Sequence, residues 1–327
     1  MTQLTLSRAA LIQAFLPGAC LLTLALPGLC QEPEVEEQSE FRKALIGGRA
    51  WARLRYRAEA VDQDPFTQDA FASTLRTVLG YETAAFKGFK ALIEFEDVAP
   101  IGNDRNYNST INGVVNRPVV AEPDGTEINQ VYLSYNLSED ALISVGRRQI
   151  EFGNARFIGL TGWRQNQQSF DSVYLKHDGI PNTKIQYAFL HGINRPTGEN
   201  NPTGRERSRS HILDIRHELD GIGELAAYAI LLDFDFSNAS NTNTYGIRLA
   251  GRQGLSEDLD LLYVAEVADQ HDGDGNPGSV DANYHRVELG VDFAGLVVNL
   301  VQENLGNSGS AAPGFSTPLA RRHRHNG

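Results

Sequence analysis

The sequence is poor in cysteine, and its two cysteines lie close together near the start. Cys20 and Cys30 are the only thiols among 327 residues. Both belong to an N-terminal apolar segment that is predicted to be removed, so we expect the mature protein to contain no thiol. This excludes a small secreted domain held by disulfides and a metal site built from cysteine.

The chain also lacks an excess of basic residues and, in its body, long apolar runs. Its mean hydropathy is −0.32, which excludes a bundle of transmembrane helices but not membrane-spanning strands, because such strands are apolar on one face only. The formal net charge is −12. A nucleic-acid partner is therefore excluded, since nucleic-acid binding needs a basic surface.

Local motifs for catalysis or cofactor binding are missing too. The patterns G-x-S-x-G, H-E-x-x-H and G-x-x-x-x-G-K do not occur in the sequence, so we predict no catalytic residue, metal or cofactor. A barrel hydrolase that uses His177 or His211 stays open as an alternative, because such a site would be assembled across strands. The run H-D-G-D-G-N from His271 resembles a calcium loop, but Pro277 replaces the required glycine, and a polar surface loop is favoured.

The first thirty residues differ from everything that follows. A single charge precedes an apolar run that extends to Cys30, which is the pattern of a secretory signal peptide. A membrane anchor is disfavoured because Pro17 and Pro27 interrupt the run, and lipidation at Cys30 is the alternative to simple cleavage. Residues 31–46 are acidic, and we predict a periplasmic lead-in with one helical turn near residues 41–45.

The clearest structural pattern is the run R-A-W-A-R-L-R-Y-R-A-E-A over residues 49–60. Its odd positions carry Arg53, Arg55 and Arg57, whereas its even positions carry alanine, leucine and tyrosine. Alternation with a period of two is typical of a strand with one polar and one apolar face. A helix would scatter the arginines around its circumference.

Further alternating segments of about ten residues follow, the length that a tilted strand needs to cross a bilayer. We predict short turns at residues 82–88, 138–140, 178–183, 220–223 and 256–258 and around Ala294. We predict long loops at residues 99–126, 150–168, 193–208, 235–243 and 270–283. Short connections at one rim and long ones at the other are typical of an outer-membrane barrel and not of a soluble sandwich.

Several short sequence motifs within these segments resemble those of a known family. They are A-S-T-L-R-T-V-L-G-Y from Ala72, I-E-F-E-D-V from Ile93, G-T-E-I-N-Q-V-Y-L-S-Y from Gly125, G-R-R-Q-I from Gly146, G-W-R-Q-N-Q-Q-S-F-D from Gly162 and A-I-L-L-D-F from Ala229. Together they resemble the alginate-export family of porin-like bacterial outer-membrane barrels, over roughly residues 47–320. The resemblance implies a channel with an arginine-containing lumen for small polar or anionic solutes, with alginate or uronate-type saccharides as candidates. A family names an architecture more reliably than a cargo.

We therefore predict an all-β protein, an antiparallel transmembrane β-barrel. About thirteen strands can be counted, and single-chain bacterial barrels use an even number, so these strands are expected to belong to a barrel of roughly 16 to 18. The predicted divisions are a signal peptide (1–30), a lead-in (31–46), the barrel (47–306) and a loop with an atypical tail (307–327). That tail contains His323 and His325, interpreted as incidental, and it lacks the usual terminal aromatic residue. We expect a C-terminal truncation or a frameshift there.

Charged side chains on the predicted lumen face are the candidate selectivity residues. The basic ones are Arg53, Arg55, Arg57, Arg76, Arg148, Arg216, Arg248, Arg286, Lys90 and Lys176, and the acidic ones include Glu59, Glu94 and Glu96. Rings of basic side chains favour anions in a pore. The alternative is that these charges pair across neighbouring strands and only stiffen the wall.

The expected location is the outer membrane of a Gram-negative bacterium. The expected partners are outer-membrane lipid, small polar or anionic solutes and the barrel-assembly machinery, with no nucleic acid and no particular oligomeric state. The main alternative is a soluble periplasmic all-β saccharide-binding protein. That alternative predicts apolar faces packed against each other.

Overall fold

A computed structural model describes residues 39–307 and 314–320. The first element is a short helix, α1 (Glu40–Ile46), whose N-cap is Ser39: its hydroxyl accepts a hydrogen bond from the Arg42 backbone N–H. Ala44 is buried, and its carbonyl accepts a hydrogen bond from the backbone N–H of Ala84 at 3.0 Å. The helical turn predicted from the sequence is thus confirmed as a helix packed beside the following sheet.

Thirteen strands form one antiparallel sheet in sequential order. They are β1 Arg49–Val61, β2 Ala70–Glu82, β3 Phe89–Pro100, β4 Gly125–Asn136, β5 Ala141–Arg148, β6 Ser169–Ile180, β7 Thr183–Asn194, β8 Arg205–Leu219, β9 Gly223–Leu231, β10 Thr242–Ser256, β11 Leu259–Asp272, β12 Asp281–Phe293 and β13 Leu296–Leu305. Two 3-10 turns lie in the loops, at Asp104–Asn106 and Asn238–Ser240. The predicted all-β fold and strand count are confirmed. Within the described residues, β1 and β13 are the two edges of the sheet.

The two faces of the sheet have opposite character. On β3, Glu94 and Glu96 are 0% and 3% exposed, whereas Phe95 between them is 43% exposed. The outer face thus presents apolar side chains and the inner face buries polar ones, which is the reverse of a soluble protein and fits a barrel wall facing lipid. The soluble alternative predicted apolar faces packed against each other, and the sheet does not have that arrangement.

The connections differ in length between the two rims. Short turns are residues 83–88, 137–140, 181–182, 220–222, 257–258 and 294–295; long loops are residues 62–69, 101–124, 149–168, 195–204, 232–241 and 273–280. The predicted alternation is confirmed to within a few residues. Helix α1 lies at the short-turn rim, where the Gly48 backbone N–H donates to the Tyr81 hydroxyl at 3.2 Å.

One of the two-residue turns shows why particular residues stand at that rim. Ala294 and Gly295 join β12 to β13, and both have positive φ, 50° and 89°. A two-residue hairpin needs such values to match the twist of its strands, and glycine adopts them without strain.

None of the helices in the described part of the chain is long and apolar enough to cross a membrane. The predicted signal peptide (residues 1–30) and the pair His323 and His325 lie outside the described residues.

Candidate functional site: the lumen

A long connection folds onto the inner face of the sheet. This connection, residues 149–168 between β5 and β6, is named the lumen loop. Its side chains Ile150, Phe152 and Ile158 are buried in one apolar cluster with Phe170 of β6. The lumen loop therefore crosses the inner face and does not extend into solvent.

Arg55 of β1 holds the lumen loop through its main-chain carbonyls. Its Nη1 donates to the carbonyl oxygens of Gly162 and Arg164 at 3.0 and 3.1 Å, and its Nη2 donates to that of Trp163 at 2.9 Å. In return, the buried Gln165 side chain donates from Nε2 to the carbonyl of Arg55 at 3.1 Å. The guanidinium of Arg55 is occupied by the loop, so its contribution to selectivity stays a prediction.

Two arginines and two glutamates form a charge cluster where the lumen loop meets β1. Arg57 contacts Glu59 at 2.7 Å and Glu122 at 3.1 Å. Arg164 of the loop contacts the same two carboxylates at 3.1 and 3.6 Å. The guanidinium of Arg57 also lies 4.4 Å from the ring centroid of Trp163 and donates to that residue's carbonyl at 2.7 Å. Arg57 thus binds the lumen loop through a main-chain carbonyl, as Arg55 does.

Glu122 lies in the loop before β4 and is 1% exposed. Its Oε2 accepts a hydrogen bond from the backbone N–H of Gln165 at 2.8 Å. Burial raises the pKa of the Glu122 carboxyl above its ordinary value, and Gln165, Arg164 and Arg57 offset this only partly. Nearby, the Tyr107 hydroxyl donates to the Glu122 carbonyl at 3.2 Å. Burial raises the pKa of Tyr107 to about 12, which keeps it protonated.

Glu122 is expected to make the stability of the protein depend on pH. A carboxyl with a raised pKa in the folded state binds its proton more tightly there than in the unfolded chain. Its stabilising contribution is therefore complete below the ordinary glutamate pKa of about 4.3 and is lost as pH rises through the raised value. The free energy of unfolding measured between about pH 4 and 8 should fall less steeply in Glu122→Gln than in the unchanged protein. Parallel curves would contradict this assignment.

The middle of the lumen loop contacts the last strands of the sheet through a buried arginine and an aromatic cluster. Arg156 is fully buried, and its Nε donates to Glu303 of β13 at 2.8 Å. The Tyr284 hydroxyl donates to the same carboxylate at 2.8 Å. The ring of Phe157 packs 5.3 Å from that of Tyr284 and 5.4 Å from that of Tyr228. The lumen loop thus joins β1 on one side to β9, β12 and β13 on the other.

A second segment, residues 314–320, packs against the lumen loop on the inner side of the sheet. We name it the inner segment. Leu319 is fully buried, and its carbonyl accepts hydrogen bonds from the Gly159 backbone N–H at 3.0 Å and from Gln168 Nε2 at 3.1 Å. Ser316 and Gln270 of β11 exchange two hydrogen bonds, at 2.7 and 2.9 Å. Both segments together fill part of the space enclosed by the sheet.

Most of the predicted lumen charges lie on the inner face in ion pairs. The pairs are Arg53–Glu94, Arg76–Glu96, Lys176–Asp178, Arg216–Asp214, Arg286–Glu288, and Arg248 with Glu224 and Glu266. Arg248 is the loosest of these, at 3.7 and 3.8 Å from its two partners. The pairs of Arg53, Arg76 and Arg248 cross between strands, whereas Lys176–Asp178, Arg216–Asp214 and Arg286–Glu288 each join two residues of one strand. Arg216 and Arg286 also contact Glu224 and Glu303 on neighbouring strands, at 3.7 and 3.6 Å. The cross-strand pairing required by the alternative interpretation is therefore present for part of the set. A role in selectivity stays a prediction.

Glu94 is the most completely satisfied member of this set. Its two carboxylate oxygens accept hydrogen bonds from Trp51 Nε1 at 2.8 Å, Arg53 Nη2 at 2.5 Å, Asn129 Nδ2 at 2.8 Å and Gln130 Nε2 at 3.1 Å. The register between β3 and β4 shifts at this point, so Asn129 is an extra residue on β4. This bulge brings two neighbouring amides to one carboxylate.

Arg148 and Lys90 differ from the other predicted cations. Neither has a carboxylate within ion-pair distance among the residues the structure describes. The half-buried Arg148 guanidinium lies 4.1 Å from the ring centroid of Tyr174 and 5.1 Å from that of Tyr132, and it donates to the Ser144 hydroxyl. Lys90 is exposed near the short-turn rim. The positive charge of Arg148 is thus positioned by two rings without being neutralised.

The residues that fix the lumen loop were not predicted from the sequence. Arg156, Arg164, Gln165 and Glu122 lie in loops, where no period of two marks an inner face. One signal was available: four of the residues 162–168 are amides, Gln165, Asn166, Gln167 and Gln168, which is unusual for an exposed loop.

The two histidines kept open for a hydrolase lie on the outer face. His211 is exposed and shares a 2.7 Å hydrogen bond with the Tyr187 hydroxyl. His177 lies on β6 opposite Ile185 of β7. In the calcium-like loop, Asn276 donates its amide to the Asn241 carbonyl at 2.7 Å. No cluster of potential metal ligands is found within the described ranges.

Comparison with solved structures shows that the fold is that of outer-membrane porins. OccAB3 of Acinetobacter baumannii is 13% identical, with a TM-score of 0.64 over 80% of this chain and 67% of that one. The outer membrane protein opdK of Pseudomonas aeruginosa is 12% identical, with a TM-score of 0.61 over 79% of this chain and 66% of that one. OpdK crystallised with vanillate is 12% identical, with a TM-score of 0.59 over 79% of this chain and 67% of that one. The chain spans about two thirds of the length of these porins.

The family profile described as Alginate export matches residues 44–299. The chain belongs to the Alginate export family. No individual curated sequence matched it. Family and fold together indicate a channel of the outer membrane for small solutes and not an enzyme.

Proposed function

We propose that the protein lets small polar and anionic solutes diffuse passively across the outer membrane, with uronate-type saccharides among them. The observation that carries the proposal is the Arg148 guanidinium on the inner face, which has no carboxylate at ion-pair distance among the residues that the structure describes. The paired arginines of the wall are compensated by carboxylates a few ångströms away, so their fields largely cancel. Arg148 keeps its charge available in a space with low-dielectric walls, where a field acts most strongly on a passing ion.

The surroundings of Arg148 suit a carboxylate solute. A guanidinium can donate two parallel hydrogen bonds to a carboxylate, which a compact ammonium cannot do. Gln186 Nε2 donates to the Tyr174 hydroxyl, which holds that ring against Arg148. The guanidinium therefore keeps its position after one solute dissociates and before the next one binds.

Arg148→Ala should lower the anion-to-cation permeability ratio of the reconstituted protein roughly threefold, because one half-exposed charge interacts with a nearby ion by about 0.6–1 kcal/mol. Arg148→Lys should retain most of the ratio but weaken the block of current by added glucuronate. Reversal potentials in planar bilayers under a salt gradient measure the first effect, and current inhibition measures the second.

The matched control is Lys176→Ala. This substitution removes a cation that is already paired with Asp178, two residues along the same strand. It should leave the permeability ratio close to that of the unchanged protein. An Arg148→Ala channel with unaltered selectivity would remove the proposed role of this residue. A protein recovered from the periplasm and not from the outer-membrane fraction would remove the proposed function itself.

We also infer that residues 1–30 direct export across the inner membrane and that the barrel-assembly machinery inserts the strands into outer-membrane lipid. The charge and apolar pattern of residues 1–30 supports the first step. The apolar outer face of the sheet supports insertion into lipid, because exposing that face to the aqueous periplasm costs free energy.

A further inference from the structure

The outer face of β8 changes from apolar to strongly basic along its length. Arg205, Arg207 and Arg209 all point outward and are exposed, whereas the residues between them are buried. Farther along the same face come Leu213 and Ile215, each 37% exposed. The arginines follow the long loop 195–204, so they stand at the rim of long connections. In outer-membrane barrels this rim is the extracellular one.

The strand register shows that this change happens at matching positions of four neighbouring strands. One row of paired positions is apolar on three strands, with Val145 of β5, Val173 of β6 and Phe189 of β7, and ends at His211 of β8. The next row toward the long loops contains Arg147, Asp171, Gly192 and Arg207. A charge facing lipid costs about 2–4 kcal/mol at the middle of a bilayer and close to nothing at its surface. The boundary between the two rows therefore marks the outer edge of the hydrocarbon layer.

Two of the three arginines are held by neighbouring aspartates, and the side chains of all three remain largely exposed to the surroundings. Arg209 donates from Nε to Asp233 at 2.9 Å, and Arg205 donates from Nη2 to Asp171 at 2.9 Å. Their side chains are still 67% and 60% exposed. Arg207 has neither an ion pair nor a side-chain hydrogen bond within residues 39–307 and 314–320. Each guanidinium thus keeps donors that face the head-group layer.

We propose that Arg205, Arg207 and Arg209 form a binding surface for the phosphate groups of phosphorylated glycolipid in the outer leaflet. Guanidinium and phosphate match in charge and in planar, two-point hydrogen bonding. The apolar row directly below them supplies a surface for the acyl chains of the same molecule. A free phosphate ion would use only the arginines, whereas a phosphorylated glycolipid uses both, and the surface has both parts. This inference concerns the outer wall and is independent of the proposed conduction through the lumen.

The test compares lipid binding by the intact protein and by variants in detergent. Diphosphorylated lipid A and its enzymatically dephosphorylated form are the two probes, and bound lipid is counted by native mass spectrometry. The unchanged protein should bind the phosphorylated form at least about tenfold more tightly than the dephosphorylated one, as expected for several charge-assisted contacts. The triple variant Arg205→Gln/Arg207→Gln/Arg209→Gln should lose most of that preference. Arg207→Gln alone should lose part of it, and it breaks no ion pair in the described structure.

The matched control, Arg42→Gln/Lys43→Gln/Lys87→Gln, removes three exposed charges at the short-turn rim and should bind lipid as the unchanged protein does. Equal preference in the triple variant and the unchanged protein would overturn the proposal, as would equal binding of the two lipids. Binding of inorganic phosphate together with no binding of diphosphorylated lipid A would assign the surface to free phosphate and overturn the lipid assignment. Heat-dependent migration of each variant on gels checks that it is folded.

Discussion

The double variant Arg55→Ala/Arg57→Ala should conduct considerably more current than the unchanged protein. The two guanidiniums make four hydrogen bonds to the carbonyls of residues 162–164, and Arg57 also pairs with Glu122. Hydrogen bonds from charged groups contribute about 1.5–3 kcal/mol each, and partial exposure reduces this here. A net loss of about 3 kcal/mol shifts the equilibrium between docked and released loop by roughly a hundredfold. A released lumen loop leaves a wider opening, which single-channel recordings measure directly.

This expectation differs from the one based on sequence, in which the arginines act on passing ions. If they served mainly as selectivity charges, the variant would change the permeability ratio while the conductance stayed nearly the same. Arg53→Ala is the control, because Arg53 lies on the same face of β1 but contacts Glu94 and not the loop. It should leave the conductance close to that of the unchanged protein. An unchanged conductance in the double variant would show that the loop is held by its other contacts.

Replacing Glu94 with alanine should destabilise the protein by about 2–3 kcal/mol. The substitution leaves the Trp51, Arg53, Asn129 and Gln130 donors without their common acceptor at a position where the carboxylate itself has no exposure. The cost arises from the buried Asn129 amide and the partly buried Trp51 and Gln130 donors, which lose their acceptor. The Arg53 side chain is 58% exposed, so water can solvate it. Urea-induced unfolding from lipid vesicles measures the free-energy difference.

Two further variants separate the causes of this loss. Glu94→Gln keeps an acceptor oxygen and the shape of the side chain, so it should cost less than Glu94→Ala. Glu218→Ala near the short-turn end of β8, where the side chain is exposed, should change the free energy of unfolding by about 0.5 kcal/mol or less. A Glu94→Ala variant as stable as the unchanged protein would mean that water replaces the carboxylate.

The wall of the molecule could be predicted from the sequence because each strand carries its own signal. The period of two over residues 49–60 predicted a strand that the structure gives as Arg49–Val61. The alternation of polar and apolar residues arises because one face of each strand meets lipid. Every second residue of the strand lies on that face and must therefore be apolar. Turn and loop lengths were predictable for a similar reason, since polar residues mark where the chain leaves the membrane.

The contents of the lumen could not be predicted in the same way. Arg156 and Glu303 are 147 positions apart, and Gln165 reaches the β1 main chain across 110 positions. Such contacts depend on how far a loop bends after the wall is formed, and no local period encodes that. The sequence did place Arg55 and Arg57 on the inner face. It could not show that a loop would occupy their donors.

The position of the lumen loop in the chain has a consequence for the order of assembly. The loop leaves the sheet between β5 and β6, yet its contacts with Glu303 and Leu319 involve residues 147 and 151 positions away. Contacts that close such long loops form late, because the chain entropy they cost must be offset by structure already in place. The loop can dock on both walls only once β13 and the inner segment are present. The lumen loop therefore takes its final position only after the last described segments have joined the wall, so the width of the lumen is set at the end of folding.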